Sequence, residues 1–262
     1  PPKETFFIKA PVKFDPSQWI YDSADPVVIV AHLSYFIVDI LNRITPTEIV
    51  RGDWYKPNAP EKQTGIRAYT EFYNNIVQNV YSSILTVQLP ERRHRLRVWY
   101  SIMRVAFSKS NLYLFTAIYD ALMTPQISRL KKTWEILTED ERRFFDDTAE
   151  ISDQKIVQRK HLLDSYDVGT TIPLLVPAMK RLILTLESSD TFVEADSSAD
   201  ELLSVAQLRA IVQQLDFVFA GWGCNLKFIV NPQLVELLIE CPSPISNQEL
   251  SALGEEAFKT EK

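Results

Sequence analysis

The sequence predicts an all-α fold, a single large helical domain of about ten helices by pattern. Apolar side chains recur at helical spacing in nearly every segment long enough to test. Capping signals stand at the starts of several of those segments. The 262-residue chain holds only 6 glycines, fewer than the turns of a sheet-rich fold of this length would use.

Residues 1–24, with Pro1, Pro2, Pro11 and Pro16, read as an irregular lead-in. From Asp25 the spacing of Ile29, Leu33, Phe36, Ile37, Ile40 and Ile44 predicts a helix. Thr45, Pro46 and Glu48 then have the arrangement of an N-cap, a first-turn proline and a capping box. The glycine- and proline-bearing stretch after Arg51 reads as a loop. Ile66, Tyr69, Tyr73, Ile76, Val80 and Ile84 mark the buried stripe of a long helix. The next helix opens on the basic run "ERRHRLR", expected to be a solvated face. "NLYLFTAIYDALM" is apolar nearly all round and predicts a central helix.

"TPQISRLKKTWEIL" begins as a turn and re-enters a helix near Arg129. "TEDERRFFDDTAEI" is amphipathic and capped, and the pattern continues until Gly169. "IPLLVPAMKRLILTLESSD" is an apolar helix with Pro173 and Pro177 near its start, followed by the acidic loop "DTFVEADSSADE". A capping box of Ser198 and Glu201 is expected to start the following helix, which ends at Gly221 and Gly223. Asn231-Pro232 opens another helix, and "SNQELSALGEEAFK" closes the chain.

Composition and motifs exclude several function classes. The net charge of −6 argues against a general nucleic-acid binder. No apolar run is expected to reach membrane-span length, and Cys224 and Cys241 suit a reducing, cytoplasmic setting as small buried hydrophobes. His32, His94 and His161 lie on separate segments without a second ligand at i+4, so no metal site is expected. The acidic loop lacks the glycine and ligand register of a calcium site. No phosphate-binding glycine loop, nucleophile elbow or cofactor motif is present. Chemistry that makes or breaks covalent bonds is therefore not expected.

Four segments, in order, resemble the catalytic domain of the Ras-type guanine-nucleotide exchange factors. They are "ITPTEIVRGDW", "GIRAYTEFYNNIVQNV", "ALMTPQISRLKKTWEIL" and "TIPLLVPAMKRLILTLE". The resemblance spans roughly Asp25 to Lys262 and implies an all-α domain with a projecting helical hairpin, over about residues 172–222. It implies a Ras-family small GTPase as partner, no cofactor of the domain's own, no nucleic acid, and recruitment to membrane surfaces. The family's hairpin opens the GTPase's switch regions, blocks its magnesium position with an apolar side chain, and brings a carboxylate to its phosphate-binding loop.

By that resemblance Ile183 is the apolar blocker and Glu187 the carboxylate. Their i, i+4 spacing places both on one helix face. Leu174 and Thr116 match positions of a pocket for an aromatic of the second switch, and Trp54 ends the early matching helix. Asn111 reads as a cap or buried hydrogen-bond hub, Trp134 as a core or interface aromatic, and Arg129 as one half of a structural ion pair. Met123 stands where the family has a GTPase-contacting asparagine, and the second hairpin arm lacks the family's aromatic and basic run. The family's full-length members carry a second helical module that braces the hairpin, for which residues 1–24 leave no room. These departures sustain an alternative: a catalytically silent relative serving as an interaction scaffold.

Overall fold

The computed structural model describes residues 20–21, 25–51, 65–152, 171–188, 192–194, 201–203, 205, 208–209, 211–213, 215, 231–232 and 245–261. The expectations for Trp54, Gly169, His161, Gly221, Gly223, Cys224, Cys241 and the helix body after Pro232 fall outside these residues. Within them the fold is helical, with one short antiparallel ribbon.

Helix α1 (Pro26–Arg43) starts where the Asp25 carboxylate accepts the Val27 N–H at 2.9 Å, with Pro26 in the first turn. Its length of 18 residues and mean hydropathy of 1.3 would suffice to cross a membrane, contrary to the sequence expectation. Half of it is buried, and Ile29, Leu33, Ile37 and Leu41 form part of the core, as in a core helix of a globular domain.

Helix α2 (Pro46–Arg51) begins at Thr45, whose hydroxyl accepts the Glu48 N–H at 3.2 Å. The expected capping box is only half made. The Glu48 carboxylate turns to the next helix, α3 (Gly65–Leu85), and accepts the N–H groups of Gly65 at 3.1 Å and Ile66 at 2.7 Å. A carboxylate there satisfies two orphan donors and meets the positive end of the longer helix. Gly65 permits the approach: a Cβ on it would lie 2.8 Å from the Ile44 backbone nitrogen.

Helix α4 (Leu89–Ser108) carries the basic run, and the expectation of a solvated face is corrected. Arg92 is buried, donating to the carbonyls of Ile84, Val87 and Ala257 and pairing with Glu261. Arg93 donates to the Lys132 carbonyl and Glu135, and Arg97 to the Ile136 carbonyl and Glu141. A buried cation such as Arg92 needs partners of this kind, and residues 257–261 supply several of them, while residues 132–141 meet the partly exposed Arg93 and Arg97.

Helix α5 (Leu112–Leu122) is the center of the domain. All its residues except Leu112 and Asp120 are buried, and it packs against α1, α3 and α4 and against two later segments, Pro125–Ser128 and Glu139–Ser152. Such all-round burial explains a sequence without a polar stripe. Asn111 is its N-cap, accepting the Leu114 N–H at 2.9 Å and donating to the Ser34 hydroxyl at 2.8 Å, so the cap is also a buried hub.

The stretch after α5 breaks into α6 (Pro125–Ser128) and α7 (Lys131–Trp134), with Arg129 between them. Helix α8 (Glu139–Ser152) is capped by Thr138 and Glu141 reciprocally. Helix α9 (Val176–Ser188) is the apolar helix expected within "IPLLVPAMKRLILTLESSD". Beyond it, β1 (Phe192–Glu194) pairs with β2 (Glu201–Leu203), with Phe192 opposite Leu203 and Glu194 opposite Glu201. Glu201 therefore starts a strand, which overturns its expected role in a capping box. Phe192 and Val193 are strand-favoring residue types, consistent with a ribbon rather than a helix start at this point. Residues 205, 208–209, 211–213 and 215 are helical. Helix α10 (Asn247–Lys259) has a complete capping box of Ser246 and Glu249.

Candidate functional site

The root of α9 is joined to the start of α5. Ile172 donates its N–H to the Ser110 carbonyl and accepts the Leu112 N–H, each at 3.0 Å. Ser110 adopts φ 55°, a left-handed turn between α4 and α5 that aims its carbonyl at Ile172. The segment leading into α9 is thus anchored beside the central helix.

Along α9 the buried side is Met179 and Leu182, and the outer side is Lys180 and Leu184. Ile183 is half-buried at the boundary of these two sides. Glu187 lies in the last turn of the helix, four residues from Ile183, three from Leu184 and seven from Lys180. Helical geometry places it on the Lys180–Leu184 stripe; its side chain is outside the described residues. Leu184 is 63% exposed, more than any other large hydrophobic among the described residues. The sequence reading passed over it. Its signal was an apolar residue on the outer stripe of an otherwise one-sided amphipathic helix.

The other expected contact residues separate by depth. Leu174 and Thr116 are both buried, so neither is presented on an open surface. Met123, the C-cap of α5, is 43% exposed. Thr116, Asp120 and Met123 are spaced i, i+4, i+7, so one stripe of α5 runs from the interior to the surface. Asp120, which the sequence reading also missed, is half-buried and accepts the Tyr73 hydroxyl at 2.6 Å. Burial first, and then the Asp120 charge, push the Tyr73 phenol well above its ordinary value. Burial raises the phenols of Tyr81 and Tyr119 as well, with Asp120 again adding to the shift. Asp120 was legible only as the one charge in an apolar helix.

Two expected structural roles hold. Arg129 pairs with Glu255 at 3.2 Å and stacks over the Phe258 ring, tying the α6–α7 break to α10. Trp134 is partly buried, donates its indole N–H to the Ile127 carbonyl at 2.9 Å, and packs edge-on against Phe145.

The pattern of the RasGEF domain matches residues 28–209, from the first turn of α1 to the helical residues beyond β2. The chain belongs to the RasGEF domain family. Among curated relatives of this RasGEF domain, "Rap guanine nucleotide exchange factor 6" from Homo sapiens is 24% identical over 205 residues, covering 76% of this chain and 12% of that protein. "Ras-specific guanine nucleotide-releasing factor RalGPS1" from Mus musculus is 21% identical over 194 residues, covering 72% of this chain and 33% of that protein. "Breast cancer anti-estrogen resistance protein 3 homolog" from Rattus norvegicus is 31% identical over 112 residues, covering 39% of this chain and 13% of that protein. The matched regions thus span only 12% to 33% of these relatives' lengths. The RasGEF match ends at residue 209, so α10 lies beyond it.

Proposed function

We propose that this RasGEF domain promotes GDP release from a Ras-family small GTPase, using the α9 arm as its inserting element. Membership in the RasGEF domain family, over residues 28–209, is the observation that carries the reading. The outward stripe of Lys180, Leu184 and Glu187 supports it, because it offers an apolar side chain and a carboxylate position within one turn of each other. No covalent bond forms or breaks. Ile183 takes the apolar position beside the GTPase's magnesium ion, and Glu187 approaches the phosphate-binding loop. A carboxylate and a phosphate compete for the same N–H and lysine donors. Displacing magnesium removes the largest positive charge holding the nucleotide. The domain and the nucleotide are then two ligands coupled negatively through one GTPase, and incoming nucleotide reverses the process. By the family resemblance Leu174, Thr116, Met123 and Trp54 are the further GTPase-binding positions; with Leu174 and Thr116 buried, their part is to back the contact surface from beneath, while Met123 is exposed on it. The domain works in the cytoplasm, at membrane surfaces where its GTPase is held.

The test is release of labeled GDP from a panel of Ras-family GTPases, with wild type beside Ile183→Ala and Glu187→Ala. Wild type is expected to accelerate release from at least one GTPase, and both variants to lose most of that acceleration. If no GTPase responds to excess domain, or if both variants match wild type, the reading is wrong.

Met123 favors a second reading. An exposed methionine replaces a hydrogen-bonding side chain at a contact position, and methionine packs adaptably but donates nothing. A domain of this kind would serve as a scaffold without exchange activity. Tight capture of nucleotide-free GTPases would count against the scaffold; absence of any such binding would favor it.

A further inference from the structure

Tyr69 lies on α3 and is not among the residues that the exchange reading assigns, yet its hydroxyl reaches the root of the hairpin. It donates to the Pro173 carbonyl at 3.0 Å and accepts the Leu175 N–H at 3.0 Å. The side chain is 1% exposed. Its ring packs edge-on against Tyr113 at 4.5 Å, and the Tyr113 hydroxyl donates to the Tyr69 carbonyl at 2.7 Å.

The sequence explains why those two backbone groups are free for a phenol. Helix α9 begins at Val176, and the Leu175 carbonyl accepts the Met179 N–H at 2.9 Å, so Leu175 is the N-cap. The N–H of an N-cap residue has no partner inside its own helix. Pro177 stands four residues after Pro173 and has no N–H, so it cannot donate to the Pro173 carbonyl. One hydroxyl, which both donates and accepts, serves both orphans. It brackets Leu174 and fixes the last peptides before the arm becomes helical. The Ile172 bridge to Ser110 and Leu112 holds the preceding residue. The chain is therefore tied to α3 and to the start of α5 up to Leu175, and any pivot of the arm falls beyond that point.

We infer that Tyr69 is a positioning residue for the hairpin, setting the direction in which α9 presents Ile183 and Glu187. The inference rests on the exchange reading for its consequence in activity, though not for the latch itself. Tyr69→Phe removes the hydroxyl and keeps the ring in place. Tyr113→Phe removes a neighboring buried hydroxyl of the same cluster without touching residues 173–175, and serves as the structural control.

Two measurements test it on the whole chain. In amide hydrogen exchange, Tyr69→Phe is expected to speed exchange at Leu175 and the first turn of α9 while α4 and α5 keep their protection; Tyr113→Phe leaves that turn protected. Unchanged protection at Leu175 in Tyr69→Phe overturns the latch, whatever the activity. In GDP release, Tyr69→Phe is expected to lower kcat by about tenfold with KM nearly unchanged, the order expected of one hydrogen bond expressed in the transition state. Tyr113→Phe, compared at equal loss of Tm, is expected to keep kcat. Equal kcat losses in the two variants, or none in Tyr69→Phe, overturn the positioning role. A wild-type domain inactive on every GTPase overturns the exchange reading and the role in activity together, while the hydrogen-exchange result still decides the latch.

Discussion

Arg92 and Glu261 form an ion pair with 3.5 Å between Nη1 and Oε1, their side chains only 2% and 6% exposed. Burial lowers the Arg92 pKa, and the Glu261 charge opposes that shift. Glu261 also accepts the Thr133 N–H at 3.3 Å and the Thr133 hydroxyl, so it joins the chain's last turn to α7. Replacing Arg92 by Met strands a buried carboxylate. The expected loss is about 3–5 kcal/mol in urea denaturation. Restoring most of that loss with a second change, Glu261→Gln, is the matching expectation, because the amide keeps an acceptor without the charge. A single-variant loss under about 1 kcal/mol would show that the pair is dispensable.

Glu48 caps a helix to which it does not belong. Glu48→Ala is expected to cost about 1 kcal/mol, the usual size for a lost cap. Gly65→Ala places a methyl group 2.8 Å from the Ile44 nitrogen and is expected to cost about 1–3 kcal/mol through displaced backbone. Denaturation midpoints of the two variants check both figures. A neutral Gly65→Ala would mean that α3 can slide away from Ile44 freely.

Leu184 and Leu182 lie two positions apart on opposite sides of α9. Leu182→Ala removes a buried side chain and is expected to cost about 2–5 kcal/mol. Leu184→Ala is expected to change stability by less than about 0.5 kcal/mol, because the side chain is mostly in water. If the outer stripe meets the GTPase, Leu184→Ala nevertheless slows GDP release severalfold. Unfolding curves paired with GDP-release rates separate the two effects. An unchanged rate in Leu184→Ala removes that residue from the contact.

The interior tyrosines set an alkaline limit. Burial raises the phenol of Tyr113 well above its ordinary value, with Tyr69 and Tyr73 adding to it, and Tyr73 is raised by burial and by Asp120. A raised folded-state pKa means that the unfolded chain loses these protons first. Their contribution is whole below the ordinary phenol value near 10 and falls as pH rises above it. Tm is expected to decline from about pH 10 upward, with tyrosinate absorbance appearing together with unfolding. Tyr73→Phe, which cannot ionize there, is expected to flatten the decline. Tyrosinate absorbance that rises well before unfolding would contradict the burial argument.

Local signals were legible mainly where the partner is near in sequence. Thr45 caps its helix as expected, and Asp25 and Ser246, not singled out as caps in the sequence, do so for the same reason, because an N-cap oxygen reaches donors two or three residues away. Asn111 was recognizable as a cap for the same reason, whereas its second bond, to Ser34, was not. The Ser198–Glu201 box failed in the other direction. Its spacing is right for a helix start, but cross-strand pairing with Phe192–Glu194 claims Glu201 for a strand. The charges of α4 misled for a further reason. A basic run looks solvated until distant carbonyls and carboxylates are known to surround it.

The candidate site divides along the same line. By itself the sequence determined the helical class, the family resemblance, and the register that puts Ile183 and Glu187 one turn apart, because each depends on spacing along the chain. Only the tertiary structure decided that Leu184 faces outward, that Asp120 meets Tyr73, and that Tyr69 holds Pro173 and Leu175 across more than 100 residues. Helical periodicity states which side chains share a face. Which face is buried, and which orphan donor or acceptor meets it there, follows from how separate helices pack, and that information is not local to any stretch of the chain.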